Sequence, residues 1–326
     1  GDHAPQQIIA GSLAFAGNNP GVTVFLYGEE EAMHRAMRDL RVEKPDNVEF
    51  CNCGKSVAMQ DSPVEALRTK RDSSAMCAVE AVRDDKADAL VSAGNTGLCV
   101  AATTLRWRLL PGVKRAGISI AIPTGNGPMV AVDMGANIEY AVMGSVYSSN
   151  VLNVEEPRVA LLNVGTEEKK GNKLVSDARS LLVESHLNFT GYLEGNHLFE
   201  GLADVIVCDG FVGNLILKTA EGVAEFMGNE IKTAVKSTPA AMLGGLLLQG
   251  AFKRMKKRFD YTSYGGAQLL GVNGVCIISH GRSDKKAVVN ALRVAKEGVQ
   301  KEVNKKIIEG MKAEMAPSPQ EGNPDD

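Results

Sequence analysis

The sequence predicts an α/β protein: a three-layer α/β/α sandwich whose mostly parallel sheet is covered on both faces by helices. Two features carry this reading. Short apolar, β-branched runs recur almost from one end of the chain to the other, and helix-length stretches separate them. Strands that read as continuous apolar runs are buried on both faces, which is the signature of a sheet with helices above and below. Length agrees, since 326 residues with 44% hydrophobic and 23% charged residues can bury a large core.

In chain order the expected strands are Val22–Tyr27, Val48–Cys53, Ala89–Ser92, Ile118–Pro123, Met129–Met134, Val159–Val164, Phe189–Leu193, Val205–Cys208 and Val275–Ser279. Helices are expected at Pro63–Arg83, Thr96–Leu109 and Asn172–Glu184. The pair Ile118–Pro123 and Met129–Met134 is joined by Thr124-Gly125-Asn126-Gly127, which reads as a hairpin excursion. Residues 1–315 are expected to form a single catalytic domain with a helical excursion at 237–262. The last stretch, APSPQEGNPDD (316–326), is Pro-rich, polar and acidic and reads as a disordered tail.

A net charge of -3 removes the strong positive field that would draw in nucleic acid wholesale. The six cysteines are Cys51, Cys53, Cys77, Cys99, Cys208 and Cys276. Cys51 and Cys53 form a C-x-C pair without nearby His or further Cys, a poor zinc signal, so no metal and no cofactor are expected. Reduced thiols packed among apolar neighbours suit a reducing compartment. No apolar run reaches the roughly 18 residues of a spanning helix, and no signal peptide is read. The start at Gly1, without an initiator Met, reads as a missing amino-terminal stretch. Neither a G-x-S-x-G elbow nor a G-x-x-x-x-G-K-[ST] loop occurs, which disfavours covalent serine chemistry and nucleotide hydrolysis.

The polar loops that follow strands are the candidate site. Ser92-Ala93-Gly94-Asn95-Thr96-Gly97 lies between a strand and a helix, where glycines admit close backbone approach and free amides favour an anion. The same residues also suit a capped strand-to-helix turn. Asn163 to Asn172 (NVGTEEKKGN) again enters a helix, and its Lys169 and Lys170 can neutralise a phosphate or an oxyanion, or stand as a solvated charge run. Asp209-Gly210-Phe211-Val212-Gly213-Asn214 leads into a helix carrying Lys218, and Asn214 can donate to an oxyanion or cap the helix. Tyr264-Gly265-Gly266-Ala267 and Ser279-His280-Gly281-Arg282-Ser283 add two glycine-bearing turns. Four or five such loops on one sheet edge would form an anion-friendly cleft. His3, beside Asp2, and His280, at a strand end, are the candidate proton carriers. His34, His186 and His197 read as surface residues.

From Ala240 the chain reads AMLGGLLLQGAFKRMKKRFDYTSYGG. Leu248, Ala251, Phe252, Met255 and Phe259 fall on one helical face, and Lys253, Arg254, Lys256, Lys257 and Arg258 on the other. Such a helix suits an anionic lipid surface or an acidic carrier protein, or packs on the core or on a second subunit.

Together these segments resemble the PlsX family, the phosphate acyltransferases of bacterial phospholipid synthesis. The resemblance rests on Gly1 to Pro5 (GDHAP), Ser92 to Gly97, Asp133 to Asn137 (DMGAN), Gly165 to Asn172, Glu194-Gly195, Ala203 to Asn214, Tyr264 to Gly271 and His280-Gly281. It covers essentially the whole chain, although the stretch between Asn137 and Ala141 is shorter than the family pattern. It implies an isocitrate/isopropylmalate dehydrogenase-like fold, also similar to phosphotransacetylases, acting as a homodimer. The implied reaction moves a long-chain acyl group from acyl carrier protein to inorganic phosphate. The product passes to the glycerol-3-phosphate acyltransferase, with the enzyme cytoplasmic and peripherally bound to the inner face of the cell membrane.

On this reading Ser92, Gly94, Asn95, Thr96 and Gly97 cradle phosphate. Lys170 and Asn214 face the reacting carbonyl, and His3 or His280 handles a proton. Asp2, Asn137, Asp209, Lys218, Gly265 and Gly266 complete the substrate site. Rival readings are a phosphotransacetylase-like enzyme using acyl-CoA, a nicotinamide-dependent decarboxylating dehydrogenase, and a non-enzymatic membrane scaffold.

Overall fold

Every residue of the run VALLN (159–163) is buried, and so is every residue of VIVC (205–208), as continuous apolar strands require. The fold comes from a computed structural model, which describes residues 1–54, 56–133, 138–167, 170–258 and 264–315. Its elements are α1 (Gln6–Gly17), β1 (Val24–Gly28), α2 (Glu30–Leu40), β2 (Val48–Asn52), α3 (Pro63–Thr69), α4 (Ser74–Arg83), β3 (Ala89–Ser92) and α5 (Thr96–Trp107). Then come β4 (Gly117–Thr124), β5 (Gly127–Asp133), α6 (Ile138–Val151), β6 (Val159–Asn163), α7 (Lys173–Val183), β7 (Phe189–Glu194) and β8 (Val205–Cys208). The last are α8 (Gly210–Lys236), α9 (Pro239–Leu247), α10 (Gln249–Arg258), β9 (Ala267–Leu270), β10 (Val275–Ile278), α11 (Lys285–Gln300) and α12 (Val303–Met315).

Eight strands form one sheet in the order β3-β10-β9-β4-β5-β8-β6-β7, and β1 and β2 pair separately. Among the described residues five of the eight strand pairings are parallel and three are antiparallel. The antiparallel pairings all involve β9 or the β4–β5 hairpin. A period of two sends alternate residues to opposite faces. Val205 and Val207 enter a core with Tyr140 and Met143 of α6 and Ile307 of α12, while Ile206 and Cys208 meet Val212, Ile216 and Leu217 of α8. At the other end Leu90, Cys276 and Ile278 pack on α4 and α5, and Val275 and Ile277 pack on α11. Helices therefore cover both faces. Truncating a fully buried strand residue such as Leu161 to Ala costs about 2–5 kcal/mol.

Four expectations change. The stretch Pro63–Arg83 is two helices, because Ser73 is extended (φ -70°, ψ 154°) and the Asp72 carbonyl accepts from the Gly54 amide at 3.1 Å. Ala267–Leu270 is a strand that no sequence signal announced, since AQLL is short and abuts two glycines at positive φ. The sheet is not continuous: a cavity of about 1180 Å³ lies between β1 and β3, lined by both. Finally, the loops do not share one sheet edge. Three antiparallel pairings reverse direction between β3 and β5, so β3 and β10 run opposite to β5, β8, β6 and β7. The tail from 316 onward lies outside the described residues.

Candidate active site

The structure sorts the sequence-derived loops into two groups. One gathers where β3 and β10 end. The Ser279 amide donates to the Ser92 carbonyl (2.8 Å), and the Asp2 amide donates to the Gly281 carbonyl (2.7 Å). A Cβ on Gly1 would lie 3.0 Å from the Ala93 carbonyl oxygen, and one on Gly266 would lie 3.0 Å from the Ser279 hydroxyl. The turns 1–5, 92–97, 264–267 and 279–283 thus meet at one corner, although 182 or more positions separate the first two from the last. Gly265 and Gly266 sit at φ +88° and +91°, backbone that side chains rarely adopt, and this lets the turn press onto β10.

Within this corner Ser92 accepts a hydrogen bond from the Gly94 amide (3.2 Å) and remains partly accessible. Thr96 and Gly97 are exposed at the first turn of α5. Asn95 is different: its side chain is buried and fully engaged. Its Oδ1 caps α5 by accepting from the Leu98 amide, and its Nδ2 donates to the carbonyls of Ala58, Met59 and Asp61. Asn95 therefore positions the turn and pins segment 58–61 over it. Sequence reasoning missed that segment, because AMQDS carries no motif. It also missed the Ser279 hydroxyl, which is buried without a hydrogen-bond partner among the described residues. His3 and His280 are both exposed. His280 Nδ1 accepts from the Arg282 amide (3.1 Å), so the neutral ring carries its proton on Nε2.

The second group gathers where the parallel neighbours β5, β8 and β6 end. Asn163, buried at the end of β6, donates to the carbonyls of Gly165 and Lys170 (3.0 and 3.1 Å) and braces the loop. Gly171, at φ +99°, leaves the space that the Asn163 amide fills. Lys170 is displayed outward and pairs with Glu167 at 3.4 Å; the Glu167 amide first, and then that pairing, hold the Glu167 carboxyl below its usual range. Asp209 caps α8 by accepting from the Val212 amide (2.9 Å). Asn214 stands exposed in the second turn of α8, and Lys218 pairs with Glu221 at 2.8 Å. Asn137 and Lys169 lie outside the described residues.

Six steps of about 4.8 Å put β6 roughly 29 Å from β3 along the sheet. The two corners therefore stand apart along the sheet, at the ends of strands that run in opposite directions.

Beyond the sheet, α8, α9 and α10 form an arm. Phe211 and Leu247 are each 79% exposed, and Leu215, Phe226, Met242, Leu243, Leu246 and Leu248 are exposed with them. On α10, Phe252 is half-buried while Lys253, Arg254 and Met255 are exposed. The side chains of Lys256, Lys257 and Arg258, and Phe259, lie outside the described residues. Among the described residues no helix is long and apolar enough to cross a membrane, and no cluster of His, Cys, Asp or Glu could hold a metal.

The model of the family described as Fatty acid synthesis protein matches residues 1–306. A protein of Dictyoglomus turgidum named phosphate acyltransferase is 43% identical over 321 residues, 95% of each chain. One of the same name from Heliobacterium modesticaldum is 42% identical over 325 residues, 97% of each chain. In fold, the chain is similar to a phosphotransacetylase from Streptococcus pyogenes, with a TM-score of 0.56 and 16% identity. That match covers 95% of this chain and 91% of the other. The EutD phosphotransacetylase from Staphylococcus aureus gives a TM-score of 0.51 at 16% identity, over 95% and 92% of the two chains. Family match and full-length identity agree, and the chain belongs to the family described as Fatty acid synthesis protein, among relatives named phosphate acyltransferase.

Proposed function

We propose that this chain transfers a long-chain fatty acyl group from acyl carrier protein to inorganic phosphate, making acyl-phosphate for phospholipid synthesis. The observation that carries the reading is the 43% identity, across 95% of both chains, to a protein named phosphate acyltransferase. Phosphate at neutral pH is already a nucleophile, so the protein has to hold it against the thioester carbonyl and stabilise the oxyanion that forms. The corner at Ser92, Gly94, Thr96 and Gly97 suits the phosphate, with free amides at the start of α5 and Asn95 fixing their direction. Lys170 and Asn214, exposed at the other corner, are the candidates for the carbonyl. His280, whose Nδ1 accepts the Arg282 amide and whose Nε2 faces outward from that bond, suits a hydrogen bond to the leaving sulfur, and His3 is the other candidate.

Residues 1–315 act as one catalytic domain in this reading. The exposed apolar length of α8 suits a second copy of the chain in a homodimer. The cations Lys253 and Arg254 beside apolar Met255 suit an acidic carrier or the anionic inner face of the cell membrane, from which product passes to the glycerol-3-phosphate acyltransferase. The test is acyl-phosphate formation by purified protein with long-chain acyl-acyl carrier protein and phosphate, set against short-chain acyl-CoA. Turnover confined to acyl-CoA would replace this reading with a phosphotransacetylase-like one, and no acyl-phosphate from either donor would leave a scaffold.

A further inference from the structure

Three of the six cysteines gather where the β1–β2 pair meets the body of the protein. Cys51 stands opposite Tyr27 on the β1–β2 ladder. Cys53 follows β2, tied by its amide to the Gly28 carbonyl at 2.8 Å, and its thiol is buried. Cys77 lies in the first turn of α4, its amide on the Ser73 carbonyl at 2.9 Å, and is partly exposed. One carbonyl joins the two segments. The Asp72 oxygen accepts both the Gly54 amide, at 3.1 Å, and the Cys77 thiol, at 3.6 Å. Cys77 sulfur is thereby held beside the residue that follows Cys53, whose own thiol donates to the Cys51 carbonyl at 3.6 Å, and the two thiols are close enough to act on each other.

We propose that Cys53 and Cys77 form a thiol pair that a small-molecule disulfide of the glutathione type oxidises to an intramolecular disulfide. Access decides the order of events, because the thiolate is the attacking species. Burial, together with the neighbouring Cys77 thiol, pushes Cys53 up to about 12, so the more accessible, partly exposed Cys77 attacks first. Its thiolate breaks the S–S bond of the oxidant and releases one glutathione, leaving a mixed disulfide on Cys77. Cys53 then loses its proton to solvent and attacks the Cys77 sulfur, releasing the second glutathione. Two protein thiols are oxidised and one glutathione disulfide is reduced to two thiols. Cys51 is left out, since it stands opposite Tyr27 on the ladder and burial raises its thiol. The new bond would tie the end of β2 to α4 across the base of segment 58–61, the one that Asn95 pins.

The experiment exposes the reduced full-length chain to oxidised glutathione under native conditions, alkylates what remains, and maps the peptides by mass spectrometry. A Cys53–Cys77 cross-linked peptide is expected, with the loss of two hydrogens and reversal by dithiothreitol. It should form at least tenfold faster than any modification of buried Cys99 or Cys276. The Cys51→Ser variant should still cross-link, and Cys53→Ser should accumulate a glutathione adduct at Cys77. A Cys51–Cys77 link, or Cys53 and Cys77 both still alkylatable while other cysteines have oxidised, overturns the proposal. If Cys53→Ser fails to fold by circular dichroism, the wild-type and Cys51→Ser peptide maps decide alone. None of these readouts uses acyl transfer, so the result stands apart from the proposed activity.

Discussion

The carboxamide nitrogen of Asn95 lies 3.0 Å from the main-chain carbonyl of Asp61, and the same nitrogen reaches Ala58 and Met59 at 3.3 and 3.2 Å. Its oxygen caps α5. One buried side chain thus fixes both the turn after β3 and the segment that lies over it. Asn95→Ala removes a helix cap and the donor shared by three carbonyls of segment 58–61, an expected cost of about 2–4 kcal/mol in urea unfolding. Asn95→Asp keeps the capping oxygen but loses the donors, and should fall between the two. Equal stability for all three proteins would show that these bonds carry no net energy.

Lys170 and Asn214 are exposed, so their truncation should leave unfolding unchanged while lowering acyl-phosphate formation. Losing one oxyanion donor typically costs about 10²–10³ in kcat. If Lys170→Ala and Asn214→Ala each stay near the original rate, the second corner has no part in the chemistry, and the reaction belongs to the Ser92 corner alone.

Arg158 grips Asp204 through its Nε (2.9 Å) and Nη2 (3.0 Å), and its amide donates to the same carboxylate. Burial works against the charge on Asp204, yet the Arg158 bonds outweigh it and hold the carboxyl below its usual value. A depressed carboxyl stabilises the fold above its unfolded pKa, and that stability is lost as pH falls through the folded value. Arg158→Gln should therefore cost on the order of 1–3 kcal/mol at neutral pH, with the gap to the original protein closing below about pH 4. A gap independent of pH in acid titrations of stability would sink this account.

Lys253 and Arg254 project from α10 beside exposed Met255. At about 1 kcal/mol for each cation near an anionic surface, replacing both with Ala should weaken binding to phosphatidylserine-containing vesicles roughly thirtyfold. Acyl-phosphate formation in solution should persist. Unchanged vesicle sedimentation would assign these cations to the carrier or to bulk solvent instead.

Strand positions were legible because burial on both faces demands an unbroken apolar run. Ala89–Ser92 and Val205–Cys208 were read to the residue, and β6 to within one. β9 was not, because its four residues leave no room for a period and the two glycines before it signal a turn. The polar loops were legible as loops, and their glycines as places of close approach. Which loops meet was hidden. Ser92 and Ser279 touch only because β3 and β10 are parallel neighbours, a pairing between segments 187 residues apart that no local pattern encodes.

Local chemistry therefore determined the element types, the turn glycines and the basic face of α10, since each depends on a few adjacent residues, whereas the cap of α8 proved to be Asp209 and not Asn214. Tertiary structure alone decided strand direction, and with it the division of the candidate loops into two corners. It also turned Asn95 inward as a clamp and set Cys77 beside Cys53. Those outcomes depend on which distant surfaces bury one another, and a single residue's neighbours in sequence carry no record of that choice.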